Sequence, residues 1–79
     1  MRIDKYLKVS RLIKRRELAS EACLSSRVYL NGRPVKPGAQ VKVGDRIELR
    51  LGASPLTVEI TDIRETTKKE DAQTLFRVI

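Results

Sequence analysis

The stretch SRLIKRRELA, residues 10–19, places three consecutive cations between two apolar segments. Before it, apolar residues recur at the spacing of one helical face, which predicts a first helix over residues 3–13. After it, a second helix is predicted to begin near Arg15 or Arg16, and its buried side consists of Leu18, Ala19, Ala22 and Cys23. The cationic triplet therefore joins two helices or opens the second one.

The first predicted helix has two distinct faces. Its buried face comprises Ile3, Tyr6, Leu7, Ser10 and Ile13. Asp4 falls on another face together with Lys8 and Arg11. A carboxylate in the first turn suits the helix dipole, and Lys8 follows it by one turn. We therefore expect Asp4 to support the helix start and to pair with Lys8.

Beyond Ser25-Ser26 the apolar period changes from that of a helix to two, which predicts a small antiparallel sheet. Val28 and Leu30 precede Asn31-Gly32, a pair that tolerates positive φ and predicts a tight hairpin. Further strands are predicted around Val41 and Val43, in RIELRL (46–51) and in LTVEITDI (56–63). Between them lie predicted turns at Pro37-Gly38 and Gly44-Asp45 and a loop at GASP (52–55).

The C-terminal stretch TTKKEDAQTLFRVI, residues 66–79, predicts a short amphipathic helix. Thr67 and Glu70 have the spacing of a capping box. The apolar face of this helix would comprise Ala72, Leu75, Phe76 and Ile79. The predicted fold class is therefore α+β, with two N-terminal helices packed on a small antiparallel sheet and a short C-terminal helix.

Length and composition restrict the possible functions. A chain of 79 residues predicts one domain, residues 1–79, with a small core. The single cysteine, Cys23, and the absence of histidine leave no Ser-His-Asp site, zinc motif or internal disulfide. No apolar run predicts a signal peptide or a membrane span. We expect a cytoplasmic protein that is not an enzyme and has no cofactor, metal site or membrane partner.

Positive charge is concentrated at the start of the chain. The net charge is +7, and residues 1–16 hold seven basic residues and one acidic residue, or +6. The other 63 residues contribute only +1. Such a concentration is typical of a surface that binds a polyanion. With only three aromatic residues, contacts to phosphates and to the shape of folded RNA are favoured over base stacking.

An ordered set of short motifs resembles the alpha-L RNA-binding motif, which is named for ribosomal protein S-four. The matching pieces are Arg2-x-Asp4-Lys5-x-Leu7, Arg11, Arg16-x-x-Ala19, Val28-x-Leu30-Asn31-Gly32 and Val43-Gly44-Asp45-x-Ile47. The resemblance covers about residues 1–50. It implies that two helices pack on a small bent antiparallel sheet and present the RNA-binding surface. Ser26 stands where the family usually has glycine, which predicts an altered or strained helix exit.

The stretch MRIDKYLKVSRLIKRRELA (1–19), with TTKKEDA (66–72), resembles the stand-alone RqcP subgroup of this family. That subgroup serves bacterial ribosome-associated quality control and is related to a small ribosome-binding heat-shock protein. The resemblance implies binding to obstructed large ribosomal subunits, contacts with their rRNA and with peptidyl-tRNA, and support of alanine tailing by an RqcH-type elongation factor. Two alternatives stay open: a recycling role without tailing, and a basic protein-interaction or membrane-surface module. We expect a monomer.

The candidate RNA-binding residues all lie in the first two helices and their linker. They are Arg2, Asp4, Lys5, Lys8, Arg11, Lys14, Arg15 and Arg16. Arg16 leads because a guanidinium grips a phosphate bidentately and a helix start favours an anion. Asp4 would repel phosphate, so we expect it to orient Arg2, Lys8 or Arg16, or to accept hydrogen bonds from a base or ribose. The competing interpretation is that Arg16 merely pairs with Asp4 or Glu21 on the surface.

Overall fold

The computed structural model describes all 79 residues and confirms the predicted α+β fold. Its elements are α1 (Ile3–Val9), α2 (Arg16–Leu24), β1 (Val28–Leu30), β2 (Arg33–Pro34), β3 (Arg46–Leu49), β4 (Leu56–Ile60), a 3-10 helix (Lys69–Leu75) and β5 (Phe76–Val78). The strands form one antiparallel sheet in the order β2-β1-β3-β4-β5. Side chains from α1, α2 and one face of this sheet build a single apolar core. No helix has the length and apolar character needed to cross a bilayer.

Helix α1 is shorter than the sequence predicts. Its predicted apolar face is buried in full, including Ser10 and Ile13, but the helix ends at Val9. Arg11 has a φ of 63°, and its N–H donates to the Lys8 carbonyl at 3.1 Å. A residue in the left-handed region cannot continue a right-handed helix. The chain therefore turns at Arg11, and Ile13 reaches the core from a loop.

Helix α2 begins at Arg16, as predicted, and ends in a left-handed residue. Ser26 has a φ of 58°, and its N–H donates to the Cys23 carbonyl at 3.0 Å. The Arg27 N–H reaches back to the Ala22 carbonyl at 2.9 Å, which completes a Schellman motif. The prediction of a strained exit at Ser26 is confirmed. The prediction that Leu18 is buried is wrong: it is 47% exposed, because the apolar stripe of α2 is narrow.

The predicted Asn31-Gly32 hairpin joins β1 to β2. Asn31 and Gly32 have φ values of 52° and 86°, the positive pair that a type I′ turn requires. The Asn31 side chain also ties this turn to the next one. Its amide oxygen accepts the Arg46 N–H at 3.0 Å, and its amide nitrogen donates to the buried Asp45 carboxylate at 3.2 Å.

The predicted strand around Val41 and Val43 does not form. Val41 is buried, but Val43 is 58% exposed and lies in a turn with Gly44. The Asp45 carboxylate accepts the Lys42 N–H at 2.9 Å, and such a local bond competes with strand pairing. Residues 37–41 instead run beside residues 1–4, where the Ile3 N–H donates to the Ala39 carbonyl at 2.7 Å.

The remaining strand and helix boundaries also differ from the prediction. β3 ends at Leu49 and β4 at Ile60, each earlier than the alternating pattern suggests. Residues 69–75 form a 3-10 helix that buries Ala72 and Leu75, and the predicted capping box at Thr67 is wrong because no side chain caps this helix. Residues 76–78 pair with the open edge of β4 as β5 instead of continuing the helix. Strand pairing satisfies their backbone groups, and it leaves Ile79 56% exposed.

The left-handed exit of α2 leads to a stability prediction. Ser26→Gly is expected to raise the free energy of unfolding by about 0.5–1 kcal/mol, because glycine adopts this conformation without the steric cost that serine bears. Urea denaturation monitored by circular dichroism measures the change. Ser25→Gly is the matched control: Ser25 has a φ of −89°, so glycine gains nothing there. An equal gain at both positions would contradict the assignment.

Candidate nucleic-acid interface

A buried carboxylate, that of Asp4, lies at the centre of the candidate surface. Its side chain is 3% exposed, although the sequence pattern places it on a polar face. Arg2 donates to it through Nε at 3.2 Å and through Nη2 at 3.1 Å. Arg16 approaches from α2, with Nε 3.4 Å from Oδ2. The predicted pairing of Asp4 with Lys8 is wrong, because the side chains that bond to Asp4 are those of Arg2, just before α1, and of Arg16 and Ser20 on α2.

The Asp4 carboxylate accepts two further hydrogen bonds. Ser20 Oγ donates to Oδ2 at 3.0 Å, and the Lys5 backbone N–H donates to Oδ1 at 2.8 Å. Burial by itself would raise the pKa of Asp4. The hydrogen bonds from Ser20, Arg16 and the Lys5 backbone, with the charge of Arg16, outweigh burial and hold the pKa below its ordinary value. Asp4 is therefore ionised at neutral pH.

This arrangement fixes two guanidinium groups while leaving them accessible. The side chains of Arg2 and Arg16 are 50% and 46% exposed. Each guanidinium carries five N–H donors, and the bonds to Asp4 occupy only the edge that faces the protein. About half of each side chain remains open to solvent, and both guanidinium groups contact the same carboxylate. Together with the single negative charge of Asp4 they leave a net charge of +1, which suits a phosphate.

Helix α2 contributes its N-terminus to the same surface. The N-cap residue, Arg15, makes no side-chain capping bond. The first N–H groups of α2, which lie next to the Arg16 guanidinium, therefore have no side-chain acceptor. Unsatisfied N–H groups and the positive end of the helix dipole both favour an anion at this position.

Most of the other candidates are exposed cations without a partner. They are Lys8, Arg11, Lys14 and Arg15, and none of them takes part in an ion pair. Lys5 differs, because its ammonium group pairs with Glu65 in the segment that follows β4. The structure thus brings Arg2, Asp4 and Arg16 together and directs Lys5 elsewhere.

Sequence reasoning missed two residues that shape this surface. Ser20 holds Asp4 in place, and its only sequence signal is its position one turn after Arg16 on α2. Glu65 neutralises Lys5 from 60 residues away, and no local pattern indicates that contact.

The depressed pKa of Asp4 predicts a pH-dependent stability. Asp4→Asn is expected to lower the free energy of unfolding by about 1–3 kcal/mol at neutral pH, because charged hydrogen bonds are lost and two arginines lose their counterion. Since the folded pKa is depressed, the contribution of the carboxylate is present above its unfolded pKa of about 3.9 and is lost as the pH falls through the folded value. The gap between Asp4→Asn and the wild-type protein should therefore narrow below about pH 4 in urea titrations. A gap that stays constant down to about pH 2 would contradict this.

Comparison with known proteins identifies the family. The S4 domain model matches residues 1–47. The chain is 54% identical over 78 residues to the RQC P-site tRNA stabilizing factor of Halalkalibacterium halodurans, which covers 99% of this chain and 89% of that protein. It is 44% identical over 79 residues to the protein of the same name from Bacillus subtilis, at 100% and 92% coverage.

A solved structure has the same fold throughout. The trimeric structure of Vibrio cholerae heat shock protein 15 superposes with a TM-score of 0.93 at 34% identity and covers 100% of this chain and 81% of that one. The matched S4 segment contains both helices and the Arg2–Asp4–Arg16 cluster. The resemblance inferred from the motifs is confirmed: the chain belongs to the S4 domain family, within the group that includes the RQC P-site tRNA stabilizing factors.

Proposed function

We propose that this protein is an RNA-binding factor of ribosome-associated quality control. It binds obstructed large ribosomal subunits that carry peptidyl-tRNA, contacts rRNA and tRNA, and supports alanine tailing of stalled chains by an RqcH-type elongation factor. The observation that carries the proposal is the Arg2–Asp4–Arg16 cluster, two fixed and half-exposed guanidinium groups beside an uncapped helix start. The similarity to proteins named RQC P-site tRNA stabilizing factors supports the choice of ligand.

In the proposed mechanism the protein acts by holding RNA in place. Arg2 and Arg16 are held by Asp4 before RNA arrives, so that little side-chain entropy is lost on binding. The unpaired cations Lys8, Arg11, Lys14 and Arg15 add long-range attraction to phosphates. No chemical step is assigned to the protein, which acts as a monomer in the cytoplasm by holding the tRNA on the subunit while another factor extends the chain.

A second candidate function is recycling of large subunits without tailing. The structural similarity to Vibrio cholerae heat shock protein 15, with a TM-score of 0.93, favours it. Both functions use the same basic surface, so the surface alone does not separate them. The 54% identity to an RQC P-site tRNA stabilizing factor, against 34% to the heat-shock protein, makes quality control the first choice.

Charge reversal at Arg16 tests the RNA-binding surface. Arg16→Glu should remove the tagged protein from large-subunit fractions in sucrose gradients, because the phosphate grip is replaced by repulsion. Its melting temperature is expected to fall, because the change removes one partner of the buried Asp4 carboxylate and places a second negative charge beside it. Binding is therefore measured at a temperature at which circular dichroism shows the variant to be folded. The matched control is Arg64→Glu, an exposed arginine paired with Asp62 outside this surface. Arg16→Glu that sediments with large subunits like the control would refute the site.

A second experiment separates quality control from recycling. In cells that lack this gene, chains stalled on large subunits should carry far fewer C-terminal alanines, as measured by mass spectrometry of the purified stalled products. Complementation with the wild-type gene should restore the tails, and complementation with Arg16→Glu should not. Undiminished tails in the deletion strain would favour recycling.

A further inference from the structure

A second block of positive charge lies between residues 27 and 50. This block contains six basic and two acidic residues, a net charge of +4. The net charge of residues 17–79 taken together is only +1, because residues 17–26 contribute −2 and residues 51–79 contribute −1. Residues 27–44 contain no acidic residue at all. Of the six cations only Arg50 forms an ion pair, with Glu48.

Two of these cations, Lys36 and Lys42, flank the loop that lies along the N-terminal residues. The Ile3 N–H donates to the Ala39 carbonyl at 2.7 Å, and the Asp4 N–H donates to the Pro37 carbonyl at 3.3 Å. Arg2 and Gln40 face each other as an isolated antiparallel bridge. The backbone of residues 37–40 is therefore adjacent to Arg2 and Asp4, and the two lysines stand at either end of that contact.

Lys36 borders the side of α2 that carries Arg16. It lines a groove with Cys23 and Leu24, near the end of that helix. Arg16, Ser20 and Leu24 follow one another at intervals of one helical turn and share a face. Ser20 bonds to Asp4 on this face. Lys36 is exposed and forms no ion pair. Leu24, which lines the same groove, lies about 12 Å along the helix axis from Arg16, the rise of eight residues.

Lys42 lies at the other end of the loop. Val41 is buried, so its neighbours Gln40 and Lys42 point away from the core. Gln40 lies opposite Arg2 in the antiparallel bridge, and Lys42 follows Gln40 by two residues in the chain. The nearest carboxylate in sequence, Asp45, is buried and bonded to Asn31 and to the Lys42 backbone, so it does not neutralise the Lys42 ammonium group.

We propose that Lys36 and Lys42 extend the RNA-binding surface from the two helices onto the loop of residues 36–42, where both contact phosphates of the RNA that Arg2 and Arg16 hold. The inference rests on the proposed function. The occupant is an RNA backbone because the loop presents two exposed ammonium groups that no carboxylate neutralises, and such groups bind phosphates. The binding surface is then a band that runs from α2 across Asp4 to the loop.

The test is double charge reversal with a matched control. Lys36→Glu/Lys42→Glu and Lys68→Glu/Lys69→Glu change the same number of exposed, unpaired lysines, the second pair at the start of the 3-10 helix. Binding of each variant to purified large ribosomal subunits is measured by pelleting over a range of KCl concentrations. The loop variant should bind at least about tenfold more weakly than wild type and reduce the slope of log affinity against log salt by about 1–2, and the control should stay within about threefold.

Each of the other possible results of this experiment would refute one specific claim. If the loop variant binds like the control while Arg16→Glu does not bind, the loop is no RNA contact and the proposed function stands. Equal losses in both double variants would mean that total charge matters and location does not, which also refutes the loop site. A loop variant that retains subunit binding but fails to restore alanine tails in the deletion strain would assign the loop to a protein partner. Wild-type protein that does not bind subunits would refute the proposed function itself.

Discussion

The candidate surface depends on one buried carboxylate. Asp4 accepts hydrogen bonds from Arg2 before α1, from the Lys5 backbone inside it, and from Arg16 and Ser20 on α2. Burying a charge is unfavourable unless its hydrogen-bonding capacity is filled, and here it is filled from both helices. The same contacts hold the helices in register and place two guanidinium groups side by side. Stability and binding geometry therefore depend on the same four side chains.

The other charged side chains fall into two groups, those in surface ion pairs and those without a partner. The ion pairs Arg50–Glu48, Arg64–Asp62 and Arg77–Glu59 are on the surface, where water and salt screen them and each contributes little to stability. By contrast, the cations around Arg16 have no acidic partner other than the shared Asp4. Leaving them unpaired costs the protein little in stability and preserves their charge for a ligand. Arg50, Arg64 and Arg77 are thus neutralised by neighbouring carboxylates, whereas Lys8, Arg11, Lys14 and Arg15 keep their full charge.

The sequence predicted those features that local patterns control. Helical spacing identified the buried residues of α1, the Asn31-Gly32 pair identified the hairpin, and Ser26 was recognised as a left-handed helix exit. The failures involve distant contacts. Asp4 accepts a hydrogen bond from Arg16, twelve residues later, and Lys5 pairs with Glu65, sixty residues later. Residues 76–78 pair with the free edge of β4 and do not form a further helical turn. Helix α1 ends because Arg11 adopts a positive φ, which is rare for arginine. The spacing of apolar residues in the sequence gives no sign of this conformation.

The hydroxyl of Tyr6 donates to the Leu75 carbonyl at 2.7 Å, and that carbonyl also accepts the N–H groups of Thr61 and Asp62. The hydrogen-bonding of a fully buried tyrosine in the first helix therefore depends on a residue 69 positions later. During synthesis, α1 cannot complete its burial until residue 75 has left the ribosomal exit tunnel. Completion of the core therefore requires a contact that closes a loop over almost the whole length of the chain, in addition to the formation of the helices.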